Sequence, residues 1–558
     1  NGRVLGPRPT CFSALPPPFL TTNNKGEGSI TKTTMADKYV TFEDVWEEGV
    51  DVPEDVVEVF KKTNMATRAL SEFFNTRDGS VLARSKPLFA KLKAGLDTST
   101  SVHFTIFVTD CGRLLGESKK RKYEDYRRYQ QDLGMLTPSG FGQRQEWPTQ
   151  QADPKKVIMC GRPAGGTADF LNICIMHPVF QKIVDAAATG EPAPEDFELA
   201  GRLTAVQPNA YTKEGYRRDM VNDLLNEYIA STENTSIAVK MIAQASESDG
   251  TSTEGFFNVE YKGEKGEGNA DPYMENASYF TLFWGIRDGP QKHCCPWLLM
   301  EVVGQEIGLS GGVFACDFAC VNPLTSNVPF LQFPQNRRMQ MVQARLCMAL
   351  RVGFRGLASF YRDEVPRMTP NNQAGFPHKR SFELNGKEVC LKYESLLNPA
   401  LHRPIFCATR EDTKEVVVVK FAPFYGHEVH KFLADQGLAP VLYSCAKLGD
   451  LFMVVMQLCE GAMFQNPSSD QKALLTTASR SLAGSGLVHG DLRPPNIMLV
   501  GSDEVKILDF DWAGKAGEAR YPIVLSEKEP WHQGAGAGKL IETAHDQHMV
   551  SILCSSSN

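Results

Sequence analysis

Three residues in the C-terminal part of the chain have the types and the spacing needed to act on a phosphoryl group. Asp491 is followed five residues later by Asn496, and a second acidic residue, Asp509, comes after two short apolar runs. A carboxylate can orient an incoming hydroxyl and accept its proton, whereas a second carboxylate and an amide oxygen can hold magnesium across phosphates. The pattern therefore predicts metal-assisted transfer of a phosphoryl group.

A β-hairpin must bring these groups together. Residues 497–500 are apolar and residues 505–508 are apolar except for Lys506, and they predict its two strands, with a turn at Ser502 and Asp503. A lone loop aspartate or a lone acidic residue after a strand is a weak signal. The two acidic residues, joined by a predicted hairpin, indicate that the fold brings them together in one site.

Lys420 is the candidate partner of this site from farther upstream. It follows four consecutive valines, 416–419, which predict a strand that is buried on both faces. A buried ammonium needs an anion nearby, and nucleotide phosphates could supply it. The alternative is a lysine at the edge of a sheet whose side chain reaches solvent.

The segment 382–558 resembles the protein-kinase-like superfamily. The resemblance is carried by the run HGDLRPPN from His489 to Asn496 and by DFD from Asp509 to Asp511. The run from Asp509 to Pro522 is similar to fungal kinase-like proteins and to the kinase module of Crinkler-type effectors. The resemblance implies a C-terminal bilobal domain that uses ATP and Mg²⁺ and has a minimal carboxyl lobe.

The same resemblance implies a role for each matching residue. Asp491 would be the catalytic base, Arg493 a charge clamp near the transferred group, and Lys420 the contact of the α/β phosphates, oriented by Glu428 in a predicted helix at 427–435. The metal ligands would be Asn496 and Asp509, and the adenine-binding hinge would include Gln457 and Cys459.

The implied activity is that of an ATP-dependent protein kinase that phosphorylates serine or threonine in a protein substrate. Four features depart from the family pattern: no glycine-rich loop precedes Lys420, Gly490 replaces an arginine, Asp511 replaces a glycine, and fewer than fifty residues follow Asp509. Two alternatives therefore stay open. One is a small-molecule phosphotransferase of the aminoglycoside or choline kinase type, and the other is a nucleotide-binding pseudokinase.

A second candidate site precedes this region. Asp249 is followed by Glu260 and Lys262, which alternation places on one face of a strand, with Glu227 on the preceding helix as a third acidic partner. This order resembles the restriction-endonuclease-like module that precedes the kinase in Crinkler-type chains. It implies a metal-dependent nuclease, with nucleic acid as a candidate partner. The alternative is an ordinary Glu–Lys pair on an exposed strand.

The composition and these motifs predict an α+β multidomain protein. A net charge of −7 over 558 residues gives no sign of bulk binding to nucleic acid or lipid, and no apolar run reaches the length of a membrane span. The predicted parts are a disordered leader at 1–35, a helical N-terminal region at 36–155, an α/β domain at 156–362, a linker at 363–381 and the kinase-like domain at 382–558.

The fourteen cysteines have no regular spacing, which favours a reducing intracellular compartment, cytoplasmic or nuclear. The basic run at 119–122 is either a nuclear-targeting patch or a solvated helix face.

Overall fold

The computed structural model describes the chain in eleven segments. They are residues 136–153, 156–162, 171–209, 214–233, 237–242, 246–252, 255–264, 270–285, 289–316, 318–397 and 404–555. All of them belong to one compact unit, Gly134–Asn558. The predicted leader, the basic run at 119–122 and most of the N-terminal region lie outside the described residues.

The first half of this unit is a mixed α/β structure. Its helices are α1 (Pro138–Phe141), α2 (Trp147–Gln151), α3 (Pro178–Thr189), α4 (Pro194–Val206), α5 (Glu214–Glu233), α6 (Pro272–Gly285), α7 (Gly289–Lys292) and α8 (Arg337–Ser359), with a 3₁₀ turn at Ile173–Ile175. Its strands are β1 (Ile237–Ile242), β2 (Ser246–Ser252), β3 (Phe257–Lys262), β4 (Trp297–Val303), β5 (Glu306–Ala315), β6 (Phe318–Pro323) and β7 (Val328–Pro329).

These strands form one seven-stranded sheet in the order β1-β2-β3-β4-β5-β6, with β7 paired to β5. Only β3 and β4 pair in parallel, and α6 is the crossover between them. Trp297 packs on Phe283 of α6 at a ring distance of 4.9 Å. Phe257 faces the other way and packs on Phe354 of α8 at 5.0 Å. Helices therefore cover both faces of the sheet.

The second half begins with a six-stranded antiparallel sheet. Its strands are β8 (Ser381–Leu384), β9 (Lys387–Leu396), β10 (Ile405–Arg410), β11 (Val416–Ala422), β12 (Leu442–Leu448) and β13 (Leu451–Gln457), in the order β12-β13-β11-β10-β9-β8. The helix α9 (His427–Ala434) follows β11.

A mainly helical part with three short sheet pairings follows. It contains β14 (Ala462–Met463), α10 (Ser469–Gly484), β15 (Leu487–Val488), β16 (Ile497–Val500), β17 (Glu504–Ile507), β18 (Gly514–Lys515) and α11 (Thr543–Ser555), with a 3₁₀ turn at Pro494–Asn496. The hairpin predicted between Asn496 and Asp509 is confirmed, because β16 and β17 pair antiparallel with Ile497 opposite Ile507.

The segment predicted as a linker is packed between the two halves. A π-turn at Phe360–Glu364 and a 3₁₀ turn at Val365–Arg367 extend α8. Beyond them, Phe376 stacks on Tyr393 of β9 at 5.8 Å, and His378 N–H donates to the carbonyl of Ile175 at 2.9 Å. One continuous apolar core includes Phe354 of α8 together with Val419 of β11. The six-stranded sheet thus shares its core with the preceding domain.

Local patterns predicted several elements correctly. Residues 297–303 form β4, residues 405–420 form most of the β10–β11 hairpin, and the long helix predicted at 337–361 forms α8 and the turn after it. One prediction was too strong, because the valine run is not buried on both faces. Val416 is exposed, whereas Val417 and Val419 are fully buried. Among the described residues, no helix combines the length and the apolarity needed to cross a membrane.

Candidate functional site

Asp491 lies in the loop between β15 and β16, where two neighbours fix its carboxylate. Arg493 forms a bidentate pair with it, with Nη2 donating to Oδ2 at 2.9 Å and Nε donating to Oδ1. The amide nitrogen of Asn496 donates to Oδ2 at 2.8 Å and to the Asp491 carbonyl at 2.9 Å. The bond to Asp491 is the first cause of the raised pKa of Arg493. These contacts therefore hold the Asp491 carboxylate in one defined orientation.

A buried aspartate braces this loop from below. Asp546 on α11 accepts hydrogen bonds from the backbone N–H groups of His489 and Gly490, at 2.6 and 2.9 Å. The ring of His489 accepts from Asp491 N–H and contacts the carbonyl of Leu508. The His489 ring thus braces the loop from within, and burial raises the pKa of Asp546.

The structure also explains Gly490. Its φ of +81° lies in the left-handed region, and a Cβ there would come within 2.7 Å of Ile541. An arginine at this position would therefore be strained and crowded.

The hairpin joins Asp491 to Asp509. Leu508 N–H donates to the carbonyl of Asn496 at 2.8 Å, so Asp509 follows directly on the strand that borders the loop. Asp509 has a φ of +63°, a left-handed conformation that is uncommon for a residue other than glycine. Backbone strain of this kind is concentrated at functional sites.

Lys420 reaches this aspartate from the sheet. It lies on β11, between β10 and β13, and is 3% exposed, so the edge-lysine alternative is wrong. Its Nζ is 2.5 Å from Oδ1 of Asp509 and 2.6 Å from Oδ1 of Asp511. Burial lowers the pKa of Lys420, but the two carboxylates more than offset it, so the pKa is raised.

Glu428 is not brought to Lys420. It is exposed in the first turn of α9, while Val429, His430 and Leu433 form the buried face of that helix. The structure thus gives Lys420 two aspartate partners in place of the expected glutamate. Asp511, read from the sequence only as a departure from the family pattern, is one of them.

The predicted hinge lies between the six-stranded sheet and the helical part. Gln457 ends β13, and its N–H donates to the carbonyl of Val441 at 2.9 Å. Cys459 is half-buried in the connection to β14. A Cβ at Gly461 would lie 2.5 Å from the carbonyl oxygen of Leu499, so only glycine fits where the connection meets β16.

Asn496 and Asp509 have the donor atoms that suit magnesium. Asn496 donates to Asp491 through its amide nitrogen, which leaves its amide oxygen available as a metal ligand. Within the described part of the chain, no three His, Cys, Asp or Glu side chains form a preformed metal site. Magnesium usually takes one or two protein ligands and completes its shell with phosphates and water, so the residues fit a metal that arrives with a nucleotide.

The upstream site is assembled differently from the prediction. Lys262 Nζ is 3.1 Å from Oε1 of Glu260 and 2.6 Å from Oε2 of Glu275 on α6. The second contact is an ion pair by distance, without hydrogen-bond geometry. Asp249 accepts from Tyr261 N–H at 3.0 Å and lies 3.4 Å from Arg218, so it borders the pair.

Glu227 does not belong to this cluster. Its side chain is 62% exposed and pairs with Arg202 at 2.5 Å. Glu275 is the acidic residue that the prediction missed as a member of the cluster. The resemblance to a restriction-endonuclease-like module implies a glutamine on this helix near Glu275 or Asn276, and that was the signal available in the sequence.

The buried carboxylates of Glu260 and Glu275 are only partly hydrogen-bonded within the described residues. Burial, Asp249 and Glu275 raise the pKa of Glu260 well above its ordinary value. Within the described residues, Oε2 of Glu260 is buried without a hydrogen-bond partner. A cavity of about 640 Å³ lies beside Lys262, and its lining includes Arg144, Arg162 and Glu301.

Comparison with known proteins does not assign the chain to a family. No protein-family model matches the chain, and no curated protein matches it either. The two clusters of side chains are therefore the observations that bear on the chemistry of this protein.

Proposed function

We propose that the C-terminal region transfers the γ-phosphoryl group of ATP to a serine or threonine hydroxyl of a protein. The observation that carries the proposal is a chain of short contacts. Asn496 joins Asp491 at 2.8 Å, the Asn496 carbonyl joins Leu508 at 2.8 Å, and the next residue, Asp509, joins Lys420 at 2.5 Å. A proton acceptor, a metal ligand pair and a phosphate-binding cation are thereby linked.

The overall arrangement supports a bilobal domain. The six-stranded sheet carries Lys420, the helical part carries Asp491, and the hinge at 457–461 connects them. Adenine would lie against the hinge backbone, and the phosphates would extend toward Lys420. Asp491, oriented by Arg493 and Asn496, would then accept the proton of the acceptor hydroxyl.

Magnesium, when bound, would neutralise charge on the phosphates, with Asn496 and Asp509 as its protein ligands. Arg493 is paired with Asp491 through two hydrogen bonds, so its guanidinium would lie near the phosphoryl group as that group passes toward the hydroxyl. The guanidinium also packs against both Trp512 and Trp531, at 6.0 and 5.4 Å from their ring centres.

A transfer assay with γ-labelled ATP tests the proposal. The full chain is required, because the six-stranded sheet shares its core with the upstream domain. We expect Mg²⁺-dependent labelling of a protein or peptide pool, and a loss of about 10²- to 10⁴-fold in Asp491→Asn, the usual contribution of a catalytic base. Asp503→Asn, an exposed aspartate in the β16–β17 turn, is the matched control and should retain activity.

Other outcomes select the alternatives. Labelling of an aminoglycoside or choline in place of protein would assign a small-molecule phosphotransferase. Stabilisation of the chain by Mg²⁺-ATP without transfer would assign a nucleotide-binding pseudokinase. Equal transfer by Asp491→Asn and the parent chain would remove Asp491 as the base.

A second activity, metal-dependent cleavage of nucleic acid, is favoured by one observation in the upstream domain. Glu260, Glu275 and Lys262 meet on the α6 side of the sheet beside a cavity, and a buried oxygen of Glu260 has no hydrogen-bond partner within the described residues. Carboxylate oxygens are the ligands that Mg²⁺ and Mn²⁺ favour, and the residues therefore fit such an ion. The bound ion would activate a water, and Lys262 would orient it.

A cleavage assay on DNA and RNA tests this second proposal. We expect Mg²⁺- or Mn²⁺-dependent cleavage that Lys262→Ala abolishes and Lys182→Ala, an exposed lysine on α3, leaves intact. No cleavage by the parent chain with either metal would remove the proposal.

A further inference from the structure

The ammonium of Lys420 is held by two carboxylates that the fold fixes in place. Both aspartates lie on a short segment whose middle residue, Phe510, is buried. Phe510 stacks on His430 with ring centres 4.3 Å apart and planes 7° from parallel. Its carbonyl accepts from Gly426 N–H at 2.9 Å. The anchored phenylalanine therefore sets the positions of Asp509 and Asp511 on either side of it.

The helix beside this segment cannot supply the partner. The side chains of Val429, His430 and Leu433 are buried, and His430 is tied to the Tyr425 hydroxyl at 2.8 Å and to the Pro440 carbonyl at 2.9 Å. Rotation of α9 that turned Glu428 inward would break these contacts and expose Val429. The phase of the helix therefore keeps Glu428 in solvent.

The two aspartates have different tasks available to them. Asp509 directly follows the hairpin that carries Asn496, so it is the one placed to share a metal with that amide. When Asp509 turns to a cation, Lys420 still needs a counter-ion, because a buried ammonium without one is costly. Among the described residues, Asp511 is the other carboxylate paired with Lys420, at 2.6 Å.

We propose that Asp511, and not Glu428, is the positioning residue that holds Lys420 ready for the nucleotide phosphates. The role of Asp511 in catalysis rests on the proposed phosphotransfer. The ion pair between Asp511 and Lys420 does not depend on that proposal. Asp511 acts through Lys420 and needs no contact with the substrate. Asp511 thus takes the role that the kinase resemblance implies for the helix residue Glu428.

The experiment compares Asp511→Asn with Glu428→Gln in the full chain. The first measurement is a pH titration by NMR with ¹³Cε-labelled lysine, in which Lys420→Arg assigns the Lys420 resonance. Asp511→Asn should lower the pKa of Lys420, because burial is then offset by one carboxylate instead of two. Glu428→Gln should leave that pKa unchanged. The other titratable groups near the ammonium are Asp509, Tyr425, whose ring centre is 5.8 Å away, and His430.

The second measurement is steady-state transfer. Asp511→Asn should raise the KM for ATP by about tenfold, the effect of roughly one lost charge contact, with a smaller change in kcat. Asp511→Glu, which retains the charge, should recover part of the loss. A merely structural role would not give this recovery together with the shifted Lys420 pKa.

The inference is overturned if Asp511→Asn leaves the pKa of Lys420 unchanged, or if Glu428→Gln lowers it as much. The titration needs no nucleotide. Failure of the parent chain to transfer phosphate would therefore count against the proposed function, while the titration still decides the ion pair.

Discussion

The two candidate sites use the same residue types, two carboxylates around one lysine, but the carboxylates differ in burial. In the C-terminal site Lys420 is shared by Asp509 and Asp511, whose side chains are 21% and 18% exposed. In the upstream site Lys262 is shared by Glu260 and Glu275, whose side chains are only 8% and 3% exposed. The upstream pair also includes a buried oxygen of Glu260 that has no hydrogen-bond partner within the described residues and that a divalent cation would satisfy.

Each half of the molecule also holds a buried acid away from these lysines. Asp546 accepts from two backbone N–H groups, and Glu301 accepts from the side chains of Asn276 and Ser310, at 2.8 and 3.0 Å. Burial nevertheless raises the pKa of both acids, and that of Glu301 rises from its ordinary 4.5 to about 7. Both acids therefore favour the protonated form more than an exposed carboxyl does.

The largest expected effect on stability is that of Glu301→Gln. With a native pKa above the unfolded one, Glu301 keeps a proton in the native state between pH 4.5 and about 7, and stability falls as pH rises through that window. A glutamine can retain both hydrogen bonds without titrating. We expect the variant to be more stable than the parent at pH 8 by up to roughly 3 kcal/mol, and to be similar at pH 4.5.

Urea unfolding at the two pH values measures this difference. Glu198→Gln, an exposed glutamate on α4, is the control and should show the pH dependence of the parent chain. An equal effect of Glu301→Gln at both pH values would show that the upstream domain does not hold a strained acid.

A smaller effect is expected for Asp546→Asn, which tests the buried aspartate that braces the C-terminal site. Asparagine offers one acceptor oxygen in place of two, so either His489 N–H or Gly490 N–H loses its partner. The unfolding free energy should fall by about 1–3 kcal/mol, and phosphotransfer should fall with the displaced loop. Thermal unfolding beside the transfer assay provides the measurement, and full activity at unchanged stability would contradict the bracing role.

The smallest effect is expected for Glu227→Gln. Its ion pair with Arg202 is largely exposed, with 62% of the Glu227 side chain in solvent. Such pairs contribute at most about 1 kcal/mol, so stability should hardly change, and nuclease activity should not change at all. Loss of cleavage in this variant would place Glu227 in the upstream site and contradict its assignment to a separate surface ion pair with Arg202.

Contiguous motifs made the C-terminal site predictable. The spacing from Asp491 to Asn496 and the hairpin to Asp509 are local, and the structure joins these residues as the spacing predicts. The partner of Lys420 was not predictable in the same way, because Asp511 lies 91 residues away in the chain. The outward position of Glu428 could have been read from the buried phase of Val429 and Leu433.

The upstream site was harder, because its members lie on separate elements. Strand alternation placed Glu260 and Lys262 together, but the position of Glu275 depends on how α6 packs on the sheet. Local patterns also gave no sign that the segment 363–381 is packed between the two halves. Its contacts, such as Phe376 on Tyr393, join elements that are distant in sequence.

The most direct test of the account is whether nucleotide binding requires a metal held by Asp509. Isothermal titration calorimetry of the full chain with ATP, with and without Mg²⁺, should show binding at one site that depends on Mg²⁺. Asp509→Asn should lose that dependence, while Asp503→Asn should behave as the parent chain. ATP binding that is equally tight without Mg²⁺ or in Asp509→Asn would contradict the convergence of Asn496, Asp509 and Lys420 on one nucleotide.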